Sequence, residues 1–401
     1  MKTNEQIQAA LEARLPQMTA WRRYLHQHPE PSFHEQETAR YIAEQLREMG
    51  CDIRTGVGGH GIVATIRGER PGPVIALRAD IDALPIQDEK DVPYRSTVDG
   101  VMHACGHDAH TSTMLGIASY YQSVRGELQG ERRLLFQPAE EICPGGAKPM
   151  IEAGVLEGVD AIYGVHLWSP LPYGAVATRP GPFMAAADEF TVTVTGQGGH
   201  GGLPHQTIDA VVAGSALVQA LQSIVSRNVN PLQPAVLSVG AFHAGKSGNV
   251  IAERAVMNGT VRTFDPQTRR MIRARMEQIV AQTAELHGAK GELNYREGYP
   301  SVVNDAGEVD RFMRVAAQLP GELQVERSDM IMAAEDFAYY LQQVPGCFMF
   351  VGAGNEQTGA IYAHHHPRFD LDERAMAVAA RLLIAMAEDR VGAASGTAGA
   401  G

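Results

Sequence analysis

Apolar residues recur at helical spacing from Ile7 to Leu25, stop at His28-Pro-Glu-Pro-Ser, and resume from about Glu35 to Met49, which predicts two helices opening the chain. Two short apolar runs follow, Gly61–Arg67 and Pro73–Arg78, and each reads as a buried strand. The second runs out into Asp80-Ile-Asp82-Ala-Leu-Pro85, so it delivers carboxylates at a C-terminal strand end, where active-site groups of open α/β sheets gather. Thr111–Val124 has helical character, and Arg132–Pro138 and Ala161–Trp168 read as strands. From about Asp188 to Gly298 the order changes. A strand at Phe190–Thr195, a Gly-rich loop, a helix at Ala210–Val225, strands at Ala235–Val239 and Ala255–Phe264, a helix at Arg269–Leu286 and a strand near Glu292–Arg296 give β-α-β-β-α-β order, one sheet with two helices on one face. Beyond Val302, helices and the strand Cys347–Gly352 return to the first pattern. The fold expected is therefore α/β: a larger domain, 1–187 and 299–390, with a mixed or parallel sheet flanked by helices, into which a smaller ferredoxin-like α+β domain, 188–298, is inserted. The segment 391–401, rich in Gly, Ala, Ser and Thr, is expected to be disordered.

Composition narrows the function. The chain has 401 residues, 44% hydrophobic and 20% charged, an ordinary globular balance that suits two domains. A net charge of -12 without any compensating basic block argues against a nucleic-acid partner. The opening Met1-Lys-Thr-Asn-Glu-Gln-Ile-Gln lacks a signal-peptide core, and no uninterrupted apolar run reaches the ~18 residues of a membrane span. A soluble cytoplasmic protein with no membrane partner is expected. Cys51, Cys105, Cys143 and Cys347 show no framework spacing, as in a reducing compartment, so Cys105 is available as a thiolate ligand.

The densest chemistry is His103-Ala-Cys105-Gly-His107-Asp108-Ala-His110. Thiolate and neutral imidazole are the preferred ligands of Zn²⁺ and its first-row neighbours, but a His-rich polar loop is the plain alternative and a site needs distant partners as well. Glu140-Glu141 follows a strand, where one carboxylate could ligate and the other act as base; alone, such a pair is most often a solvated turn. His166 ends an apolar strand, and Tyr362-Ala-His364-His365-His366-Pro367 offers three imidazoles that read equally well as a surface cluster.

Taken together, Arg78–Pro85, Met102–His110, Phe136–Glu141, Gly164–Trp168, Gly198–Gly201, Gly259–Phe264, Ala334–Phe337 and His365–Asp370 resemble, across nearly the whole chain, the M20 metallopeptidases, specifically their amidohydrolase branch of hippurate hydrolases, N-acyl-L-amino acid amidohydrolases and auxin-conjugate hydrolases. The resemblance implies two divalent metal ions, Zn²⁺ or Mn²⁺ with Co²⁺ or Ni²⁺ as options, held by Cys105, His107, Glu141, His166 and His365. His365 is selected by its His-x-Pro pattern, with His364 the competing candidate. It implies that Glu140 is the general base that takes a proton from metal-held water, and that the hydroxide so formed cleaves the amide of an N-acyl-L-amino acid. The alternatives are a metallo-dipeptidase or carboxypeptidase of the same family, or a non-catalytic binding relative. Asp80 stands where related peptidases carry histidine, so Asp80 and Asp82 are expected to orient His107 or His166 through their free ring nitrogens, and Asp108 to do likewise or to cap its helix. The inserted domain is implied to be a lid and dimerisation domain. Its His200 stabilises the oxyanion, from the partner subunit of a homodimer in many relatives, and Arg262, assisted by Asn249, binds the substrate α-carboxylate. His205 is a weaker candidate.

Overall fold

The structure is a computed structural model that describes residues 2–321 and 323–397, with side chains up to residue 393. It divides into two compact units, Met1–Gly181 with Val303–Asp329 and Asp336–Gly401, and Pro182–Val302 with Met330–Glu335. The second unit is wider than the stretch expected from residue 188, because its first long strand begins at Ala186 and the segment around Ile331 bridges to Met184.

In the first unit an eight-stranded mixed sheet runs, edge to edge, Asp52–Val57, Gly61–Arg67, Gln129–Gln137, Arg70–Asp80, Ala161–Pro172, Gly346–Gly354, Ala175–Thr178 and Gln324–Arg327. Its central strands, Gln129–Gln137, Arg70–Asp80, Ala161–Pro172 and Gly346–Gly354, are mutually parallel. Strands covered on both faces must be apolar along their length, and Ile75, Leu77, Leu134, Phe136, Ile162, Tyr163, Phe348 and Met349 are all buried. Helices His107–Ser123 and Ala375–Thr397 pack into the same core as Leu77, Leu134 and Tyr163.

Three boundaries differ from the sequence reading. The opening helix is two, Asn4–Glu12 and Leu15–Gln27, because Pro16 sits in the first turn of the second, where its missing N–H is harmless, and would break a continuous helix. The helix expected from Thr111 starts at His107. Residues 107–118 are buried on every side, so no apolar stripe marks that first turn. The disordered tail expected from Val391 begins instead inside a helix that continues to Thr397, and Val391 is buried; residues 398–401 lie outside the described residues.

The second unit is a four-stranded antiparallel sheet, ordered Ala235–Ala244, Arg254–Thr263, Ala186–Thr195 and Lys290–Arg296, with helices Ala210–Ser223 and Pro266–Leu286. Numbered along the chain that order is 2-3-1-4, as ferredoxin-like β-α-β-β-α-β units have it. Phe190, Val192, Val194, Leu217, Leu221, Met257, Ile272 and Met276 fill its core.

Candidate metal centre

The site lies at the C-terminal ends of the central strands. Asp80 pairs across the ladder with Gln137, and His166 sits opposite Phe350. The Cys/His run forms the loop entering helix His107–Ser123. Gly106 turns it into the helix with a left-handed φ of 93°, a conformation glycine takes at no steric cost. Cys105 is thus held just outside the helix and His107 in its first turn.

Four distant segments converge there. Cys105 Sγ lies 3.4 Å from His166 Nε2. His107 Nε2 lies 3.8 Å from Glu141 Oε1, and His365 Nε2 approaches the same oxygen at 3.5 Å. Donor atoms of Cys105, His107 and Glu141 fall within 4.8 Å of one another, as do those of Cys105, His166 and His364, so the thiol belongs to both groups.

Hydrogen bonds fix which ring nitrogens are open. His107 Nδ1 donates to the carbonyl and Oδ1 of Asp82 at 3.0 and 3.1 Å, leaving Nε2 facing Glu141. His166 Nδ1 donates to the Leu167 carbonyl at 3.0 Å, leaving Nε2 toward Cys105. His110 has no open nitrogen: Nδ1 bonds Asp80 Oδ1 at 2.6 Å and Nε2 accepts from the Leu167 N–H at 2.9 Å. His364 Nε2 accepts from the Ser169 N–H at 3.1 Å while its ring stacks on Trp168, 4.6 Å between centroids. That lone pair is therefore occupied, and His364 Nδ1 is buried with no hydrogen-bond partner among the described residues, whereas His365, with a side chain 52% exposed, presents Nε2 to Glu141.

The three aspartates divide differently from expectation. Asp82 touches His107, and its Oδ2 also accepts from the Ser32 hydroxyl at 2.6 Å and the Glu141 N–H at 3.0 Å. Asp80 hydrogen-bonds neither His107 nor His166. Its oxygens bond His110 and, at 2.7 Å, Arg78, and Oδ2 stands 3.7 Å from His107 Nε2. Asp108 neither caps the helix, whose N-cap is Gly106, nor touches a ring facing the thiol. It pairs at 2.9 Å with the fully buried Arg22 and accepts from His26 at 2.7 Å, because a buried carboxylate in a helix's first turn must find a cation. Arg22, Ser32 and Glu35 are the residues that sequence reasoning missed; the cue for Ser32 and Glu35 was the Pro-containing break that holds Glu30 and Ser32, and nothing marked Arg22, which lies within a helix.

Glu140 and Glu141 leave the strand Gln129–Gln137 through Pro138 and Ala139, and Ala139 has φ 52°. Among the described residues only Phe33, Ala139 and His365 are non-glycine with positive φ. A left-handed L-residue persists only where its surroundings over-determine it, and such residues cluster at active sites. Here one precedes the two glutamates and another is a candidate ligand.

The electrostatics suit a bound cation. Burial, then the charges of Glu141, Glu140 and Asp80, push the Cys105 thiol well above its ordinary range. Burial works against protonation of His107, yet Asp80, Asp82 and Glu141 hold it up at about 10. Burial and the neighbouring His110 and His364 keep His166 neutral. His107 Nε2 and Glu141 Oε1 are both buried with no hydrogen-bond partner among the described residues. Two orphaned donors of the right type facing each other beside a thiol fit a divalent ion, which would also reverse the cost of ionising Cys105.

The sequence signature of peptidase family M20/M25/M40 matches residues 76–389. The chain belongs to that family. It is 50% identical over 379 residues to YhaA of Bacillus subtilis, covering 94% of this chain and 96% of that one. It is 47% identical over 307 residues to an N-acyl-L-amino acid amidohydrolase of Geobacillus stearothermophilus, 76% and 83% of the two chains. Among solved structures it resembles the Bacillus subtilis protein YXEP, a dinuclear metal binding peptidase from the M20 family, with TM-score 0.82 and 38% identity over 95% of this chain and 99% of that one. This M20 chain is accordingly a hydrolase acting on amides, with a centre for divalent metal.

The remaining expected residues lie on the second unit. His200 sits on a short ribbon paired with Val250, its Nδ1 accepting from the Gly202 N–H at 3.0 Å, so the exposed Nε2 carries a proton to donate. Asn249 is its neighbour, through Gly201 N–H to the Asn249 carbonyl at 2.8 Å. His205 lies in the adjoining 3₁₀ turn. Arg262 is elsewhere. It pairs with Ala187 and Val236, eight positions along the strand from Arg254, at the end remote from Asn249, roughly 26 Å at strand rise. Within one chain Asn249 therefore cannot assist Arg262 on one small substrate. Arg262 bonds Thr260, and no carboxylate pairs with it among the described residues; burial lowers its pKa.

Proposed function

We propose that this protein hydrolyses N-acyl-L-amino acids to a carboxylate and a free amino acid, with Cys105, His107, Glu141, His166 and His365 holding two divalent ions, Zn²⁺ or Mn²⁺ before Co²⁺ or Ni²⁺. The observation that carries the substrate class is Arg262, a half-buried guanidinium that Asp188 and Glu189 attract but that no carboxylate pairs with among the described residues, and whose fork matches an α-carboxylate. Similarity to the Geobacillus stearothermophilus enzyme supports the same reading. When bound, the ions supply Lewis acidity, lowering the pKa of water and polarising the amide carbonyl.

Glu140, buried beside Glu141, takes the proton from water and passes it to the leaving amine. Asp82 keeps the His107 ring in one tautomer, and His200 donates Nε2–H to the oxyanion. Because His200 and Asn249 lie at the end of the sheet away from Arg262, one substrate is served by both groups only if two chains contribute, which supports a homodimer. Buried free thiols at Cys51, Cys105 and Cys347 support a reducing, cytoplasmic setting.

The test is a panel of N-acyl amino acids and unblocked dipeptides, assayed with apo-enzyme and with each metal restored. Turnover of acyl amino acids that chelation abolishes and metal restores is expected, with Glu140→Gln lowering kcat by about 10²–10⁴ while metal stays bound. Full activity in apo-enzyme or in Glu140→Gln refutes the mechanism, and preference for dipeptides turns the reading to a dipeptidase.

A further inference from the structure

The segment between helices Leu15–Gln27 and Gln36–Glu48, Pro31-Ser-Phe-His-Glu35, is tied to the strand exit that carries Glu140 and Glu141 by two carboxylates. Asp82 Oδ2 joins the Ser32 hydroxyl to the Glu141 N–H. Glu35 Oε1 joins the Phe33 N–H, at 3.0 Å, to the Ala139 N–H, at 2.7 Å. Phe33 and Ala139 are two of the three left-handed non-glycine residues described, at φ 68° and 52°. One oxygen atom thus holds the amides of both. Glu35 itself is fully buried, and its Oε2 has no hydrogen-bond partner among the described residues, an arrangement that costs stability and that a purely structural position would not retain.

We propose that Glu35 is a positioning residue for hydrolysis: by gripping the amide of left-handed Ala139 it sets the direction in which Glu140 and Glu141 leave the strand. An alanine released from that grip relaxes toward negative φ, where L-residues are stable, and such a rotation two bonds upstream of Glu140 swings both carboxylates away from Cys105 and His107. Phe33, bound by the same oxygen, fixes the clamp from the other side. A site loosened by about 1 Å loses rate by orders of magnitude, so a residue that touches neither metal nor substrate governs both functions of the glutamate pair. The proposal rests on reading Glu140 as base and Glu141 as ligand.

The experiment compares full-length Glu35→Gln, which keeps an acceptor for both amides, with Glu35→Leu, which keeps volume without one, and Glu35→Asp, which falls one methylene short of Ala139. Each is measured for kcat and KM on an N-acyl amino acid and, independently, for Zn²⁺ affinity by competition with a chromogenic chelator. Glu35→Gln should stay within about threefold of wild type in both. Glu35→Leu and Glu35→Asp should lose at least tenfold in kcat with KM little changed, and tenfold in Zn²⁺ affinity. Adding Ala139→Gly should restore most of both losses, since glycine holds φ 52° unaided. If Glu35→Leu does not fold, Glu35→Asp with and without Ala139→Gly decides. Folded variants with wild-type kcat and Zn²⁺ affinity overturn the proposal, as do losses that Ala139→Gly leaves untouched. Glu140→Gln run alongside separates the two ideas: if it keeps full turnover, the reading of Glu140 fails, while the Zn²⁺ measurements still judge Glu35.

Discussion

Replacing Asp82 by alanine tests whether the hydrogen bonds around the centre set its metal affinity. The carboxylate has three partners in a fully buried place: His107 Nδ1, the Ser32 hydroxyl and the Glu141 N–H. Losing the first frees a candidate ligand ring to rotate or change tautomer, an effect typically of 10–100-fold on affinity, or about 1.4–2.7 kcal/mol. Losing the other two strands a buried hydroxyl and a buried amide at about 1–3 kcal/mol each, partly offset because a buried charge is removed. Asp82→Ala should therefore bind Zn²⁺ 10–100-fold more weakly and lose about 2–5 kcal/mol of apo-protein stability. Ser32→Ala removes one partner and leaves the ring held, so it should cost about 1 kcal/mol with Zn²⁺ affinity within threefold of wild type. Chelator competition gives the affinities, and urea unfolding of metal-free protein gives the stabilities. An Asp82→Ala protein that binds Zn²⁺ as tightly as wild type refutes the reasoning, and so does a Ser32→Ala protein equally impaired in binding.

His365→Ala should lower metal affinity or stoichiometry by at least tenfold, whereas His364→Ala, whose Nε2 already accepts from Ser169, should change it less than threefold; metal analysis after dialysis distinguishes them. Arg262→Ala should raise KM about 10–100-fold for acyl amino acids with a free carboxylate and leave the corresponding carboxamides unchanged, read from paired kinetics. Glu35 makes a pH prediction. Burial, aided by Asp82, pushes its carboxyl up to about 7 from about 4.5, so the folded chain keeps a proton that the unfolded chain has released. Its contribution is complete below about 4.5, declines as pH rises through 7, and is then constant, up to about 3 kcal/mol in all. Urea midpoints of wild type relative to Glu35→Gln should fall across that window, and a flat difference contradicts the assignment.

The alternating order of short apolar runs and amphipathic segments was enough to read two units, since the periods of strand and helix are local properties of the chain. In the second unit the same reading covers every long element, because one face of each is solvated and the stripe is visible: helix Pro266–Leu286 buries Ile272, Met276, Val280 and Ala284 at helical spacing. It failed at His107–Ala118, where burial is all round and no stripe exists, and at Val391, where composition suggested a tail but a long helix extends.

At the centre, residue type marked the run from His103 to His110, the pair Glu140-Glu141, His166 and the run His364–His366 as groups with ligand chemistry, and the resemblance to the M20 family selected Cys105, His107, Glu141, His166 and His365 among them. What each ring nitrogen is free to do was decided only by tertiary contacts. Asp80 was drawn to His110, Asp108 to Arg22, and His364 to the Ser169 amide, partners 30, 86 and 195 residues away along the chain. Hydrogen-bond partnership depends on distance and angle to within fractions of an ångström, and spacing along a chain carries no such information. The sequence determined which chemistry this protein holds; the folded chain decided which atoms are left open to perform it.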